Sequence, residues 1–148
     1  MKIIDFYKDP NKEYWLNKIS ESDWSAAKFL YDLIRKNELI SLLGKETKLF
    51  LLVDNKELIS FLTFSNVDDI ETDELTPWIG FVYTFPKFRG NRYIGKLIDH
   101  VKIYARDIGY DNIYISTNAI GLYEKYGFTF YKILKDRGGE DSRVYSLK

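Results

Sequence analysis

Apolar residues along the chain change their spacing several times, and each change marks an element. Residues 2–7 read as a short strand, and Tyr14 to Ile19 as one or two turns of helix. From Asp23 the apolar positions Ala26, Phe29, Leu30, Leu33 and Ile34 recur on one helical face, with Ser22 placed to cap it. Leu49 to Val53 and Leu58 to Phe64 are strand-like runs around Asp54-Asn55-Lys56, the pattern of a hairpin. After an acidic loop holding Asp68, Asp69, Glu71, Asp73 and Glu74, Trp78 to Phe85 predicts another strand. Pro86 ends it, because proline cannot donate to a ladder.

Helical spacing returns between Tyr93 and Ile108, where Ile94, Leu97, Ile98, Val101, Ala105 and Ile108 share a face and Gly109 provides the stop. Ile113 to Ser116 predicts a short strand. Leu122 to Tyr126 predicts a short helix closed by Gly127, and Phe128 to Leu134 with Arg143 to Leu147 a last hairpin. Strands outnumber helices around one strand-helix-strand unit, so the expected fold class is mixed α/β (α+β). No repeat, low-complexity tract or linker divides the 148 residues, and one domain over 1–148 is expected.

Composition narrows the function. Twelve Tyr, ten Phe and three Trp supply both a firm core and walls for a pocket. Lys+Arg and Asp+Glu are each 22, so no net field favours nucleic acid or an anionic membrane. Without Cys there is no disulfide framework, thiolate nucleophile or Cys-based metal site. The single histidine, His100, has no obvious partners with which to hold a metal, and none is expected. The start, Met1-Lys2-Ile3-Ile4-Asp5, has no apolar leader core, and no run approaches the ~20 apolar residues of a membrane span. A cytoplasmic location is the resulting expectation.

The stretch Val82-Tyr83-Thr84-Phe85-Pro86-Lys87-Phe88-Arg89-Gly90-Asn91-Arg92-Tyr93-Ile94-Gly95-Lys96-Leu97 carries the chemistry. A strand ends, a basic loop with two glycines comes next, and a helix begins. Such a helix start offers unpaired N–H groups and the positive end of the helix dipole, which together suit a phosphate. Many strand-to-helix turns of this composition bind nothing. The second element, Ala119-Ile120-Gly121-Leu122-Tyr123-Glu124-Lys125-Tyr126-Gly127-Phe128, comes at a fitting separation.

With this second element the chain resembles the GNAT superfamily of N-acetyltransferases, most clearly over residues 75–135. The resemblance implies a central mixed, mostly antiparallel sheet, splayed between two strands and flanked by helices. It implies acetyl-CoA as co-substrate, its pantetheine arm pairing with the backbone of Val82, Tyr83 and Thr84, and its pyrophosphate held by Arg89, Gly90, Asn91, Arg92, Tyr93, Ile94, Gly95 and Lys96. The family pattern is Arg/Gln-x-x-Gly-x-Gly/Ala. Arg89 fits its first position, but Arg92 and Ile94 stand where small residues are usual. A helix-like start with negative φ would tolerate both.

Tyr123 aligns with the family's general acid, which protonates the leaving CoA thiolate; alternatively it packs with Leu122, Tyr126 and Phe128. Either Ser116 or Asn118 is expected to touch the pantetheine arm. The base that strips the acceptor's ammonium is a Glu at the position of Trp78 in many members. Here Glu74, Asp73 and Glu71 lie just upstream and could act through water, or else form a solvated acidic loop; Glu74 is the one selected. Transfer would then run by direct attack of a primary amine in a ternary complex, with a backbone N–H near Val82 stabilising the oxyanion. The acceptor, a small molecule or a protein amine, is not legible, and a homodimer is allowed. The rival readings are a non-catalytic acyl-CoA-binding module and a GNAT-like interaction domain.

Overall fold

The hairpin runs around Asn55 contain the most continuous apolar sequence in the chain, and they lie at the heart of a seven-stranded sheet of order β1-β2-β3-β4-β5-β7-β6. A computed structural model describes residues 1–148. In it the strands are β1 (Lys2–Asp5), β2 (Lys48–Asp54), β3 (Glu57–Ser65), β4 (Trp78–Thr84), β5 (Ile113–Ser116), β6 (Thr129–Lys135) and β7 (Asp141–Leu147). The helices are α1 (Lys12–Ser20), α2 (Ser25–Arg35), α3 (Leu39–Leu43) and α4 (Ile94–Asp107). All neighbours pair antiparallel except β4 and β5. The mixed, mostly antiparallel sheet expected from the sequence is present, and no helix is long and apolar enough to cross a membrane.

The unbroken run Leu49–Val53 is apolar because both faces of β2 are covered. Leu49, Leu51 and Val53 join the core under α1 and α2, while Phe50 and Leu52 join the core under α4. Strand β3 is divided likewise, with Leu58 and Phe61 on one side and Ile59, Leu62 and Phe64 on the other. The alternation changes phase at a bulge beside Ile59, where the register with β2 shifts. Helix α4 buries Ile94, Leu97, Ile98, Val101 and Ala105 on the second side, as its spacing predicts; Ile108 falls beyond the last turn and is exposed.

Helix α2 departs from the prediction in an informative way. It starts at Ser25 because the Trp24 N–H donates to Ser22 Oγ at 3.0 Å, which holds Trp24 in extended conformation as the N-cap residue. Its buried stripe is Ala27, Leu30, Leu33 and Ile34. Ala26 and Phe29, assigned to the core stripe from their spacing, instead face a cavity, and Phe29 is 53% exposed. Helix α3 has no counterpart among the elements predicted from spacing; its Leu39 and Leu43 bury against the same core as α2.

Strand β4 is irregular on both sides. Thr63 faces Gly80 and Phe61 faces Tyr83, so Phe81 and Val82 together oppose one residue of β3. Phe81 takes up the extra residue with φ +48°, a β-bulge. On its other side β4 pairs with β5 only at Trp78–Tyr114 and Ile79–Ile115, and beyond Ile79 the two strands part.

Candidate active site

Parting the strands leaves backbone groups of β4 without a neighbouring strand. The Phe85 N–H donates to Ile59 O at 3.0 Å, and Tyr83 O accepts from Ser60 Oγ at 2.7 Å, so residues 83 and 85 face β3. A strand residue's N–H and C=O point to the same edge, and successive residues alternate. Val82 and Thr84 therefore turn their backbone groups toward the open edge. The Thr84 carbonyl is met there by Arg89 Nε at 2.9 Å.

Two cavities run along this edge. One of about 610 Å³ passes Val82, Tyr83, Thr84, Arg89, Ile94 and Tyr123. The other, of about 880 Å³, opens at the bulge between Gly80, Phe81 and Val82 of β4 and Ile115 and Ser116 of β5. Trp24, Val82 and Tyr123 line both, so the cavities adjoin at these side chains. Trp24 is held there by stacking on the Tyr83 ring, with centroids 5.5 Å apart and planes 9° apart, while the Tyr83 hydroxyl donates to Asp23 Oδ1 at 3.3 Å.

The basic loop closes the end of the smaller cavity. The N–H groups of Gly90, Asn91, Arg92, Tyr93 and Ile94 donate to no acceptor in the chain, and the helical ladder resumes only with Gly95 N–H to Arg92 O at 3.1 Å. Asn91 Nδ2 braces the turn by donating to Phe88 O at 3.1 Å. The expected negative φ at Arg92 is overturned. Arg92 sits at φ +56°, a left-handed conformation costing an L-residue about 1–2 kcal/mol, while Gly90 takes φ +86° freely. Ile94, the other departure, is the first helical residue and is buried. Gly95 has a packing reason: a Cβ there would lie 3.0 Å from the Tyr126 ring. Arg89 lies over the Tyr83 ring at 5.4 Å, whereas Arg92 and Lys96 are exposed and make no ion pair.

Tyr123 opens a 3₁₀ turn, Tyr123–Tyr126, that Gly127 ends at φ +97°. The residue is buried, its ring packs edge-on to Phe128, and its hydroxyl has no partner in the chain. Burial, helped by the neighbouring Tyr126, pushes its phenol up to about 12, so at neutral pH it holds its proton. Ser116 lines the larger cavity with its hydroxyl 2.6 Å from that of Ser142. Asn118 is exposed, its Oδ1 accepting the Arg143 N–H at 3.4 Å, and lines neither cavity.

Glu74 is also exposed and borders neither cavity. The reason lies in where its segment is pinned. Ile70 bridges to Asp136, and the Glu71 N–H donates to Lys135 O at 2.9 Å, which ties the chain just before Glu74 to the β6–β7 hairpin. The acidic residues that line the cavity are Asp68 and Asp69, and Asp68, four residues after Phe64, is the one that reaches β4. A Cβ built on Gly80 would lie 2.7 Å from Asp68 Oδ1 and 3.2 Å from Thr63 Oγ1. The carboxylate thus rests on the bare backbone of β4 beside the bulge. Burial pushes the Asp68 carboxyl up to about 7, opposed by a hydrogen bond from the Asp69 backbone and by Arg137, while the Asp69 charge adds to the rise. Thr63 Oγ1, buried in the same notch, has no partner. A glycine inside a strand marks a bulge or a close approach, and Gly80 is the one signal in the sequence that points to Asp68.

No curated protein matches the chain in sequence. Solved structures match its fold. An aminoglycoside 6'-acetyltransferase type Ii superposes with a TM-score of 0.73 at 18% identity, over 100% of this chain and 97% of that one. The aminoglycoside 6'-N-acetyltransferase from Enterococcus faecium gives 0.70 at 15% identity, over 99% and 96%. A GNAT family acetyltransferase from Elizabethkingia anophelis, solved with acetyl-CoA bound, gives 0.58 at 24% identity, over 75% and 82%. The model of the acetyltransferase (GNAT) family matches residues 5–128, most of the sequence, and the chain belongs to that family.

Proposed function

We propose that the chain is a single-domain N-acetyltransferase, which moves an acetyl group from acetyl-CoA to a primary amine by direct attack. The observation that carries this reading is the open edge of β4. A run of unpaired N–H groups from Gly90 to Ile94 lies at one end, a side-chain-walled cavity at the other, and a buried, protonated Tyr123 between them.

Each part has a chemical use. The free N–H groups at the start of α4 suit a pyrophosphate, and the left-handed Arg92 keeps its N–H in that row without a glycine. Val82 and Thr84 offer the edge of a strand to the amide-bearing pantetheine arm, as a neighbouring strand would receive it. The bulge turns the backbone at Phe81 and Val82 out of the ladder, where an N–H can meet the oxygen of a thioester carbonyl as negative charge grows on it. Tyr123, holding its proton to about pH 12, can donate it to a leaving thiolate and regain one from solvent.

Acetyl-CoA should raise the melting temperature, since a ligand at a hundredfold excess over its Kd stabilises the folded state by about 2.7 kcal/mol. Release of the CoA thiol should then depend on an added amine. No melting shift at millimolar acetyl-CoA would remove both the transferase and the acyl-CoA-binding module and leave an interaction domain. A shift without transfer to any of a broad set of amines would leave the binding module.

A further inference from the structure

The larger cavity has walls of a different chemistry from the open strand edge. Trp24 and Phe29 from the start of α2, Leu42 and Leu43 from α3, Val67 from the β3–β4 segment and Phe81 from the bulge supply its apolar surface. Phe29 and Phe81 face each other with ring centroids 6.2 Å apart. Phe29, on a helix with a separate buried stripe, packs on Phe81 yet stays half exposed, so the pair presents an aromatic surface to the cavity. The ionisable groups bordering the cavity are Asp68, Asp69, Arg137 and the neutral Tyr123. Arg137 donates from Nε to Asp68 O at 3.1 Å, and its NH1 lies 3.9 Å from Glu71 Oε2. The charged side chains lining the cavity are therefore two carboxylates, Asp68 against Gly80 and Asp69 exposed at the rim, and one cation, Arg137, which sits beside Glu71.

These walls discriminate among amines. A polyamine or an aminosugar brings several ammonium groups. Each beyond the first would give up its hydration in a cavity lined mostly by apolar side chains, where Asp69 at the exposed rim is the one lining carboxylate left to receive it. A single ammonium on an apolar or aromatic body meets the opposite situation, in which its body lies against the wall formed by the paired Phe29 and Phe81 rings while its charge reaches Asp68, the carboxylate seated against β4. Resting on the transferase reading above, we propose that the acceptor is a primary monoamine carried on an apolar or aromatic body, and that Asp68 receives its ammonium and takes the proton.

The proton inventory closes. The ammonium gives one proton to the Asp68 carboxylate, and the freed nitrogen lone pair forms the C–N bond to the acetyl carbon as the C–S bond breaks. The nitrogen loses a second proton to solvent, and the departing sulfur gains one from Tyr123, which is reprotonated from solvent. Asp68 returns its proton to solvent for the next turnover. A carboxyl poised near neutrality is suited to this exchange, being both able to accept and able to release.

The test uses the full-length chain, acetyl-CoA, and 2-phenylethylamine, spermidine and kanamycin as probes. The expected kcat/KM is at least about tenfold higher for 2-phenylethylamine than for either polycation, as removal of charges from an apolar site implies. Phe29→Ala should raise KM for 2-phenylethylamine with little change in kcat. Asp68→Asn should lower kcat/KM by about 10²–10⁴-fold at pH 7 and abolish a rising limb centred near pH 7, with the acetyl-CoA melting shift retained. A preference for spermidine or kanamycin, or a wild-type pH profile in Asp68→Asn, overturns the proposal while leaving the transferase reading intact. Absence of both a melting shift and transfer to any amine overturns both.

Discussion

The two ends of the open edge of β4 are built from different materials. At the loop end the groups on offer are main-chain N–H donors, from Gly90 to Ile94 and at Val82 and Thr84, so side chains there vary at small cost. Arg92 illustrates this by adopting at φ +56° the conformation that suits a glycine. At the cavity end the groups on offer are side chains: Trp24, Phe29, Phe81 and Asp68, drawn from separate elements of the chain. A site made of backbone conformation is tied to the fold and travels with it. A site made of side chains can be rebuilt without disturbing the fold, and it is where members of one family come to treat different acceptors.

Gly80 is where one end can be damaged most while the other is spared. Gly80→Ala puts a methyl group into the notch shared by Asp68 Oδ1 and Thr63 Oγ1, forcing the carboxylate aside. Amine acetylation should fall by about 10²-fold, the scale of an ångström-sized misplacement at a reacting centre. The acetyl-CoA melting shift should persist, since Gly80 lies outside the smaller cavity. Loss of both together would mean the two ends are not separable.

The loop end is probed by removing one backbone donor. Tyr93 already has φ −63°, close to proline's, so Tyr93→Pro deletes the N–H with little change in that dihedral. Acetyl-CoA affinity should drop about 10–100-fold, as for a lost hydrogen bond to a charged group. Tyr93→Ala serves as the control for the ring, and its affinity by titration calorimetry should stay closer to wild type. Equal losses in the two variants would give the role to the side chain.

The smallest expected effect is one of stability. Asp68 holds its proton in the folded state up to about pH 7 but loses it near 3.8 when unfolded. Below both values the acid is neutral in either state and its burial carries no charge penalty. As pH rises from about 4 to 7 the unfolded chain releases the proton first, so the folded state loses stability, and above 7 the penalty is complete. Asp68→Asn should therefore be more stable than wild type by about 1–3 kcal/mol at pH 8, with the gap closing toward pH 4. A gap independent of pH in a series of thermal melts would contradict the buried-carboxylate account.

How much of the molecule is legible in its sequence divides along the same line. Glycines, Pro86 and the helical spacing of Ile94, Leu97, Ile98 and Val101 are local signals, and they place the strand, loop and helix that present the free N–H groups. The periodicity of α2 misleads because Ala26 and Phe29 continue an apolar pattern while facing a cavity. Spacing reports where a residue lies on the helix, not whether protein or open space stands opposite. Glu74 stands closer to β4 in sequence than Asp68 does, yet Asp68 lines the cavity and Glu74 does not. The bridge from Ile70 to Asp136, between residues far apart in sequence, ties the segment between Asp68 and Glu74 to the β6–β7 hairpin. Nothing local encodes that contact.

Between the two ends stands Tyr123, whose side chain lines both cavities. Tyr123→Phe keeps the ring against Phe128 and removes only the hydroxyl, which has no partner in the chain to lose. Single-turnover acetyl transfer, measured under rate-limiting chemistry, should fall by about 10²–10⁴-fold in this variant. Melting temperature and acetyl-CoA affinity should stay near wild type, and Tyr126→Phe should leave turnover nearly unchanged. Full turnover in Tyr123→Phe would contradict the account, making Tyr123 a packing residue and leaving the thiolate to take its proton elsewhere.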